Sequence, residues 1–297
     1  MQCLKPISIR NPEWLDGDSS QPRWFAVPCG KCSACLSRRR QFWAFRLNQE
    51  KLHSSSALFI TLTYDNTMLP LDRFGIAHVS KRDCQTFLKR LRKYVCSLYP
   101  ECDSDSIPRL RYYITAEYGP QTLRPHYHML LFNFPLGLAD PYATILRCWN
   151  KGFVQVGPLL DGGGNYAAKY ILHPLDENID WSVLRKPFSL MSRKPGLGLG
   201  HLTPQMIKYY RENKTYLTKL SGGRTVPLPR YYRNKIFDKE TLREISADVV
   251  ESAAQDREKQ FWEDIRIYGE SREFERKQDY DRKVKNSLSK QKQNSKL

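Results

Sequence analysis

Two histidines one residue apart, His126 and His128, sit in the apolar run Pro125-His126-Tyr127-His128-Met129-Leu130-Leu131-Phe132. Side chains alternate along an extended strand, so both imidazoles face the same way and can share one metal ion. Upstream, Tyr112-Tyr113-Ile114-Thr115-Ala116-Glu117 is a second β-rich run, with the turn residues Gly119 and Pro120 between the two. An antiparallel hairpin over these runs returns the histidines to Glu117. Two adjacent strands would then build a His, His, Glu ligand set. The competing reading is a half-buried histidine pair without metal; the acidic partner in reach and the basic chain around it favour ligation.

Two further groups carry chemistry. Cys29-Gly30-Lys31-Cys32-Ser33-Ala34-Cys35 repeats the C-x-x-C spacing of a metal knuckle. A closed tetrahedral site needs a fourth ligand, and Cys3 is the candidate because the next cysteine after Cys35 is Cys84. An iron–sulfur cluster accepts the same triplet, but its usual fourth cysteine is missing. Structural Zn2+ and thiols that are merely buried stand as the two readings. Tyr166 and Tyr170 are four residues apart in Tyr166-Ala167-Ala168-Lys169-Tyr170-Ile171-Leu172, a helical stretch that Asn165 can cap after a run of glycines. They share one helix face a turn apart, with Lys169 on a neighbouring line. The phenols are candidate nucleophiles, and a packed core stripe is the alternative.

These groups need a scaffold, and the pattern predicts one. Residues 1–35 read as irregular, and a helix follows to about residue 53. Arg38, Arg39 and Arg40 lead into Phe42, Trp43 and Phe45, which suits phosphate contact and base stacking; a solvated basic face over a core is the alternative. A strand is expected over 58–64, and a helix over 80–98 with Cys84, Phe87, Leu88, Leu91 and Val95 at three-and-four spacing. A polar loop over 101–108, the hairpin, a helix over 140–150 and a strand over 153–156 come next. The order strand, helix, hairpin, helix, strand, tyrosine helix is that of an α+β protein. Residues 187–200 read as a loop and 201–220 as a basic, tyrosine-rich helix. Leu228-Pro229-Arg230-Tyr231-Tyr232-Arg233 reads as a phosphate and stacking contact, residues 238–281 as a charged helix, and 282–297 as a disordered polar tail.

The chain of 297 residues carries a formal charge of +17. Its last stretch, 251–297, holds 12 basic and 10 acidic residues, so the excess lies in the body. Such a field favours a polyanion, most simply a nucleic acid; a basic enzyme without one is the alternative. There is no apolar signal core and no run of about 18 apolar residues, so no membrane partner is expected. Clustered cysteines without a secretion signal point to metal binding in a reducing cytoplasm.

His126-Tyr127-His128 resembles the His-hydrophobe-His motif of HUH endonucleases, which nick single-stranded DNA. The 59–64 strand is similar to their first motif, and Tyr166-Ala167-Ala168-Lys169-Tyr170 to their two-tyrosine motif. The Cys-Gly-Lys-Cys stretch, Glu117-Tyr118-Gly119 before Arg124-Pro125-His126-Tyr127-His128, and the late Leu-Pro-Arg-Tyr-Tyr are similar to rolling-circle replication initiation proteins of gokushovirus-type microviruses, small single-stranded DNA bacteriophages. The resemblance spans roughly residues 3–237. It implies an RRM-like, mainly antiparallel sheet with packed helices as an HUH nuclease core over 56–200. Before the core lies a Cys-rich segment and helix, 1–55; after it come a helical extension, 201–281, and the tail. It also implies Mg2+ or Mn2+ on His126, His128 and Glu117, and a tyrosine nucleophile at Tyr166 or Tyr170 that Lys169 assists. DNA contacts are expected at Arg38, Arg39, Arg40, Arg124 and Arg230. Its implied partners are single-stranded DNA at a replication origin and host replication proteins, in the cytoplasm of the bacterial host. Two rival classes are a non-catalytic zinc protein that binds and packages DNA, and a metal phosphodiesterase that uses water.

Overall fold

The computed structural model describes residues 3, 5–12, 14, 23–99, 109–119, 121–160, 181–220, 223, 225–268 and 282. Tyr166, Lys169 and Tyr170, the 101–108 loop and the tail beyond 282 lie outside these residues. The chain divides into two compact units, one of Met1–Phe42 with Pro204–Leu297 and the other of Trp43–Thr203.

The unit of Trp43–Thr203 is built on a five-stranded antiparallel sheet of β3 (Ala57–Thr63), β4 (Arg111–Tyr118), β5 (Pro125–Phe132), β6 (Val154–Pro158) and β7 (Ser189–Met191), in the order β6-β3-β5-β4-β7. β3 alternates in burial residue by residue, as its Leu-Phe-Ile-Thr-Leu pattern demands. On one face Leu58, Ile60, Leu62, Ile114, Ala116, Tyr127, Met129 and Leu131 join the apolar sides of helices α2 (Lys81–Cys96) and α3 (Pro141–Trp149). Cys84, Phe87, Leu88, Leu91 and Val95 are the buried residues of α2, at the spacing of a single helix stripe. Each fully buried Leu or Phe contributes roughly 1.5–3 kcal/mol, so this stripe alone fixes the helix to the sheet.

Capping sets where these helices begin and end. The Ser80 side chain accepts from the Asp83 N–H, and the Asp140 side chain from the Ala143 N–H with Pro141 in the first turn. Arg90 donates to the Cys148 and Trp149 carbonyls at 2.7 and 3.0 Å, satisfying the C-terminus of α3. Asn150 then takes a left-handed conformation, and Gly152, at φ +149°, passes close to the Tyr64–Asp65 peptide before β6.

The opposite face packs Tyr113, Leu130, Phe132 and Phe59 against Trp43 and Leu47 of helix α1 (Ser33–Leu52) and against Leu159 and Leu197. A buried ion pair ties it together. The Arg111 guanidinium meets the Glu50 carboxylate, Gly198 N–H donates to the same carboxylate at 2.7 Å, and Arg111 also reaches the Pro195 carbonyl at 3.0 Å. This cover lies over one end of the sheet face and leaves the other end, at Glu117, His126 and His128, partly open.

The other unit contains a hairpin of β1 (Ile7–Arg10) and β2 (Trp24–Val27), which pair only with each other, and a second of β8 (Leu217–Lys219) and β9 (Thr225–Pro227). Its helices are the start of α1, then α4 (Pro204–Glu212), α5 (Arg230–Ile236) and α6 (Lys239–Tyr268).

Several sequence expectations are corrected here. Residues 1–35 are not all irregular, because β1 and β2 form. The 187–200 loop contains β7, a three-residue edge strand recruited by β4 that is too short to show alternation. The helix expected over 201–220 stops at Glu212, where Asn213 and Lys214 turn the chain into β8. Leu228 and Tyr232 of the Leu-Pro-Arg-Tyr-Tyr-Arg stretch are buried in the core, so only Arg230 and part of Tyr231 remain as surface contacts.

Candidate active site

Register brings the ligand candidates together. Across β3, β5 and β4, Thr63, His126 and Glu117 form one row and Thr61, His128 and Thr115 the next. Opposite residues of paired strands share a face, so both histidines and the carboxylate stand on the side away from α2. Glu117 Oε1 lies 2.9 Å from His126 Nε2 and 2.7 Å from His128 Nε2. One donor atom from each of the three lies within 4.8 Å of the others. Their side chains are 11–19% exposed, enough for a ligand to reach them.

The rings are oriented from behind. His126 Nδ1 sits 3.2 Å from the Arg124 carbonyl oxygen, a contact that places a hydrogen on Nδ1 and leaves the Nε2 lone pair for a ligand when the ring is neutral. His128 Nδ1 meets Thr61 Oγ1 at 3.1 Å, and its ring stacks on Phe59 with centroids 5.6 Å apart. Burial disfavours the charged form of His126, but the hydrogen bond and charge of Glu117 outweigh it and raise its pKa above the usual value. A proton there holds the place of a cation between the imidazole and the carboxylate.

Tyr127, between the two histidines, points through the sheet into the core. Tyr64 donates to Asp83 Oδ2 at 2.8 Å, so the 2.8 Å contact between the two phenols is donated by Tyr127, and Tyr127 also accepts from the Ser80 N–H. Burial pushes both phenols far above the ordinary tyrosine range. They hold the ligand strand to α2 and are not nucleophiles.

The four cysteines form a second cluster. Cys3 Sγ is 3.6 Å from Cys29 Sγ and 3.8 Å from Cys32 Sγ, and the four sulfurs lie within 4.8 Å of one another. The Cys32 and Lys31 amides lower the Cys29 pKa, whereas burial pushes the Cys35 thiol up to about 11.

The arginines divide by surroundings. Arg39 and Arg230 are exposed. Arg38 donates to Cys35 Sγ at 3.7 Å. Arg40 is half-buried, and burial lowers the pKa of its guanidinium. Arg124 braces the entry to β5 through Asn66 Oδ1, at 2.6 Å, and the Tyr64 carbonyl. Sequence reasoning missed Thr61 as a positioning group and the Glu50–Arg111 pair. The parity of β3 put Thr61 on one face, but only the β3–β5 pairing sets it beside His128.

The fold and this cluster define an α+β protein whose antiparallel sheet carries a three-donor metal-binding face. The family model for the replication-associated protein ORF2 matches residues 57–174, which include all three donors. The chain is 31% identical over 257 residues to the replication-associated protein VP4 of Bdellovibrio phage phiMH2K, covering 79% of this chain and 76% of that protein. It is 25% identical to the replication-associated protein ORF2 of Spiroplasma virus 4, covering 80% of each. It is also 26% identical to the replication-associated protein ORF4 of Chlamydia phage 1, covering 78% of this chain and 59% of that one. No solved structure matches the chain. This chain belongs to the phage replication-associated proteins, the rolling-circle initiators of microvirus type.

Proposed function

We propose that this replication initiator is an HUH-type endonuclease that nicks and rejoins single-stranded DNA at an origin. The observation that carries the reading is the convergence of Glu117, His126 and His128 on one partly open sheet face, in a chain of this family. The donor set fits a divalent ion: a carboxylate oxygen and two imidazole nitrogens within one ion's reach, each ring fixed by a partner on its far nitrogen. Mixed nitrogen and oxygen donors suit Mn2+, with Mg2+ the alternative. Bound there, the ion would polarise the scissile phosphate and offset its developing charge.

The nucleophile we assign to Tyr166 for the first cut and Tyr170 for the second. A phenol, with an unperturbed pKa of about 10, needs a cation beside it to act near neutrality, and Lys169 supplies one in the sequence. The tyrosine oxygen bonds to phosphorus as the phosphorus–O3′ bond breaks. The phenol loses its proton and the leaving 3′ oxygen gains one. The resulting 5′-phosphotyrosine conserves the ester for rejoining, when a 3′-hydroxyl attacks the same phosphorus and the tyrosine leaves. The protein would act in the cytoplasm of the bacterial host alongside host replication proteins.

The test is a denaturing gel of full-length protein with a labelled single-stranded origin oligonucleotide. A covalent adduct should form with Mn2+ and vanish in EDTA, in His128→Ala, and in the Tyr166→Phe/Tyr170→Phe double variant. An adduct in the double variant would move the nucleophile elsewhere. Cleavage without any adduct would favour a water-using phosphodiesterase, and binding without cleavage a packaging role.

A further inference from the structure

We propose that Cys3, Cys29, Cys32 and Cys35 hold one structural zinc ion that folds the β1–β2 hairpin onto the start of α1. The site shares no residue with the Glu117, His126 and His128 cluster, and nothing in strand cleavage calls for it.

Distance is the first argument. Zinc–sulfur bonds of about 2.3 Å at tetrahedral angles put ligand sulfurs about 3.8 Å apart. The Cys3 sulfur stands 3.6 and 3.8 Å from those of Cys29 and Cys32. A disulfide would need about 2.05 Å, and these cysteines are free thiols. A multi-iron cluster spreads its cysteines around a larger body than one ion.

The second argument is the hydrogen bonding of the sulfurs. Cys29 Sγ accepts from the amides of Lys31 at 3.5 Å and Cys32 at 3.3 Å, and Cys3 Sγ accepts from the Cys29 amide at 3.3 Å. Gly30, at φ +74°, turns the knuckle so that these amides face back onto the sulfur. Arg38 approaches Cys35 Sγ at 3.7 Å. Four donors directed at sulfur suit thiolates, and four thiolates select Zn2+ over hard cations such as Mg2+. Arg38 and Lys31 offset the negative charge left on a four-thiolate zinc site.

Topology gives the third argument and the role. β1 and β2 are four residues each, pair only with each other, and keep every residue but Val27 exposed. An isolated two-stranded hairpin is marginal in water. Cys3 lies just before β1 and Cys29 just after β2, so the cluster closes the open end of the hairpin. Cys32 and Cys35 flank the first residues of α1. One ion thus joins both ends of the hairpin to a helix N-terminus. The folded hairpin presents Ile9, Phe25 and Trp24 to solvent, with Arg10 and Arg23 over the Trp14 ring at 5.9 and 4.9 Å.

The experiment is metal analysis of freshly purified full-length protein together with trypsin mapping. One zinc per chain is expected, lost in Cys29→Ser and Cys32→Ser and retained in His128→Ala. Stripping zinc from the wild-type protein with a mercurial thiol reagent should open cleavage after Arg10 and Arg23, and cobalt reloading should restore protection with the absorption of tetrahedral thiolate coordination. Wild-type protein without zinc and with these thiols immediately reactive would overturn the proposal. So would zinc that survives in Cys32→Ser or disappears in His128→Ala, or a hairpin equally protected after zinc is stripped.

Discussion

Thr61 does for His128 what the Arg124 carbonyl does for His126: it fixes the ring from its far nitrogen. Outer partners of this kind typically change metal affinity by about 10–100-fold when removed. Thr61→Val keeps the shape and removes the hydroxyl, so Mn2+ titration by calorimetry should show a Kd weaker by about tenfold or more, with the melting temperature little changed. An unchanged Kd would mean that Phe59 and Glu117 hold the ring unaided. A second residue-scale prediction concerns Asp72, whose carboxylate takes His78 Nε2 at 2.9 Å and the Phe74 and Ile76 amides. The His78 hydrogen bond is the largest cause holding its pKa down to about 2. A folded pKa below the unfolded one stabilises above the unfolded value, about 4, and that stabilisation disappears as pH falls through the folded value. Asp72→Asn should therefore melt below the wild type at pH 6, and the gap should close between about pH 4 and pH 2. A gap constant over that range would assign the effect to turn geometry rather than charge. The two histidines and Glu117 were legible at this scale because strand parity and one turn fix their meeting. Thr61 was not, because its position beside His128 depends on pairing between residues 67 apart in the chain.

Among the elements, the turn from α3 into β6 is the most constrained. A Cβ on Gly152 would collide with the Asp65 amide nitrogen and stand 2.5 Å from the Tyr64 carbonyl carbon, and its φ of +149° is one that L residues rarely adopt. The same turn carries the Asp65 N–H to Lys151 carbonyl bond at 2.8 Å and the Thr63 N–H to Phe153 carbonyl bond at 3.0 Å, which pin β6 to the sheet edge. Gly152→Ala should cost on the order of 3 kcal/mol, read as a lower urea midpoint with an unchanged slope. An unshifted midpoint would show that the turn can move away freely. Elements with a strong period were legible: the α2 stripe and the alternation of β3 each report one buried face. β7 was not, since three residues carry no period and only the free edge of β4 defines it. β1 and β2 were hidden for a related reason, because neither buries a face that would impose a pattern.

At the scale of the molecule, the charge of +17 is the property that a single strand meets first. Among the described arginines, Arg39 and Arg230 are exposed, while Arg40 and Arg233 are half-buried with guanidinium pKa values lowered chiefly by burial. Affinity for a single-stranded oligonucleotide should fall linearly in log–log form with salt, with a slope of about −0.7 per phosphate neutralised. Arg39→Ala and Arg230→Ala should each make that slope shallower by about one such increment in fluorescence anisotropy titrations. Slopes identical to the wild type would place the strand on other basic residues. No helix among the described residues is long and apolar enough to cross a membrane. Net charge was legible from composition. The pairing of the first stretch of the chain with its last was not, because local patterns carry no information about partners at that separation.

One unit is contiguous, Trp43–Thr203, while the other waits on two stretches that flank it. A ribosome delivers the chain from Met1 onward, so the sheet can close once β7 has emerged, before α4, α5 and α6 exist. Its two ends are then held together, and the closure entropy facing the discontinuous unit no longer grows with the length of chain between its parts. Translation arrested anywhere after Thr203 should yield a nascent chain with all three sheet donors assembled and the other unit half-built.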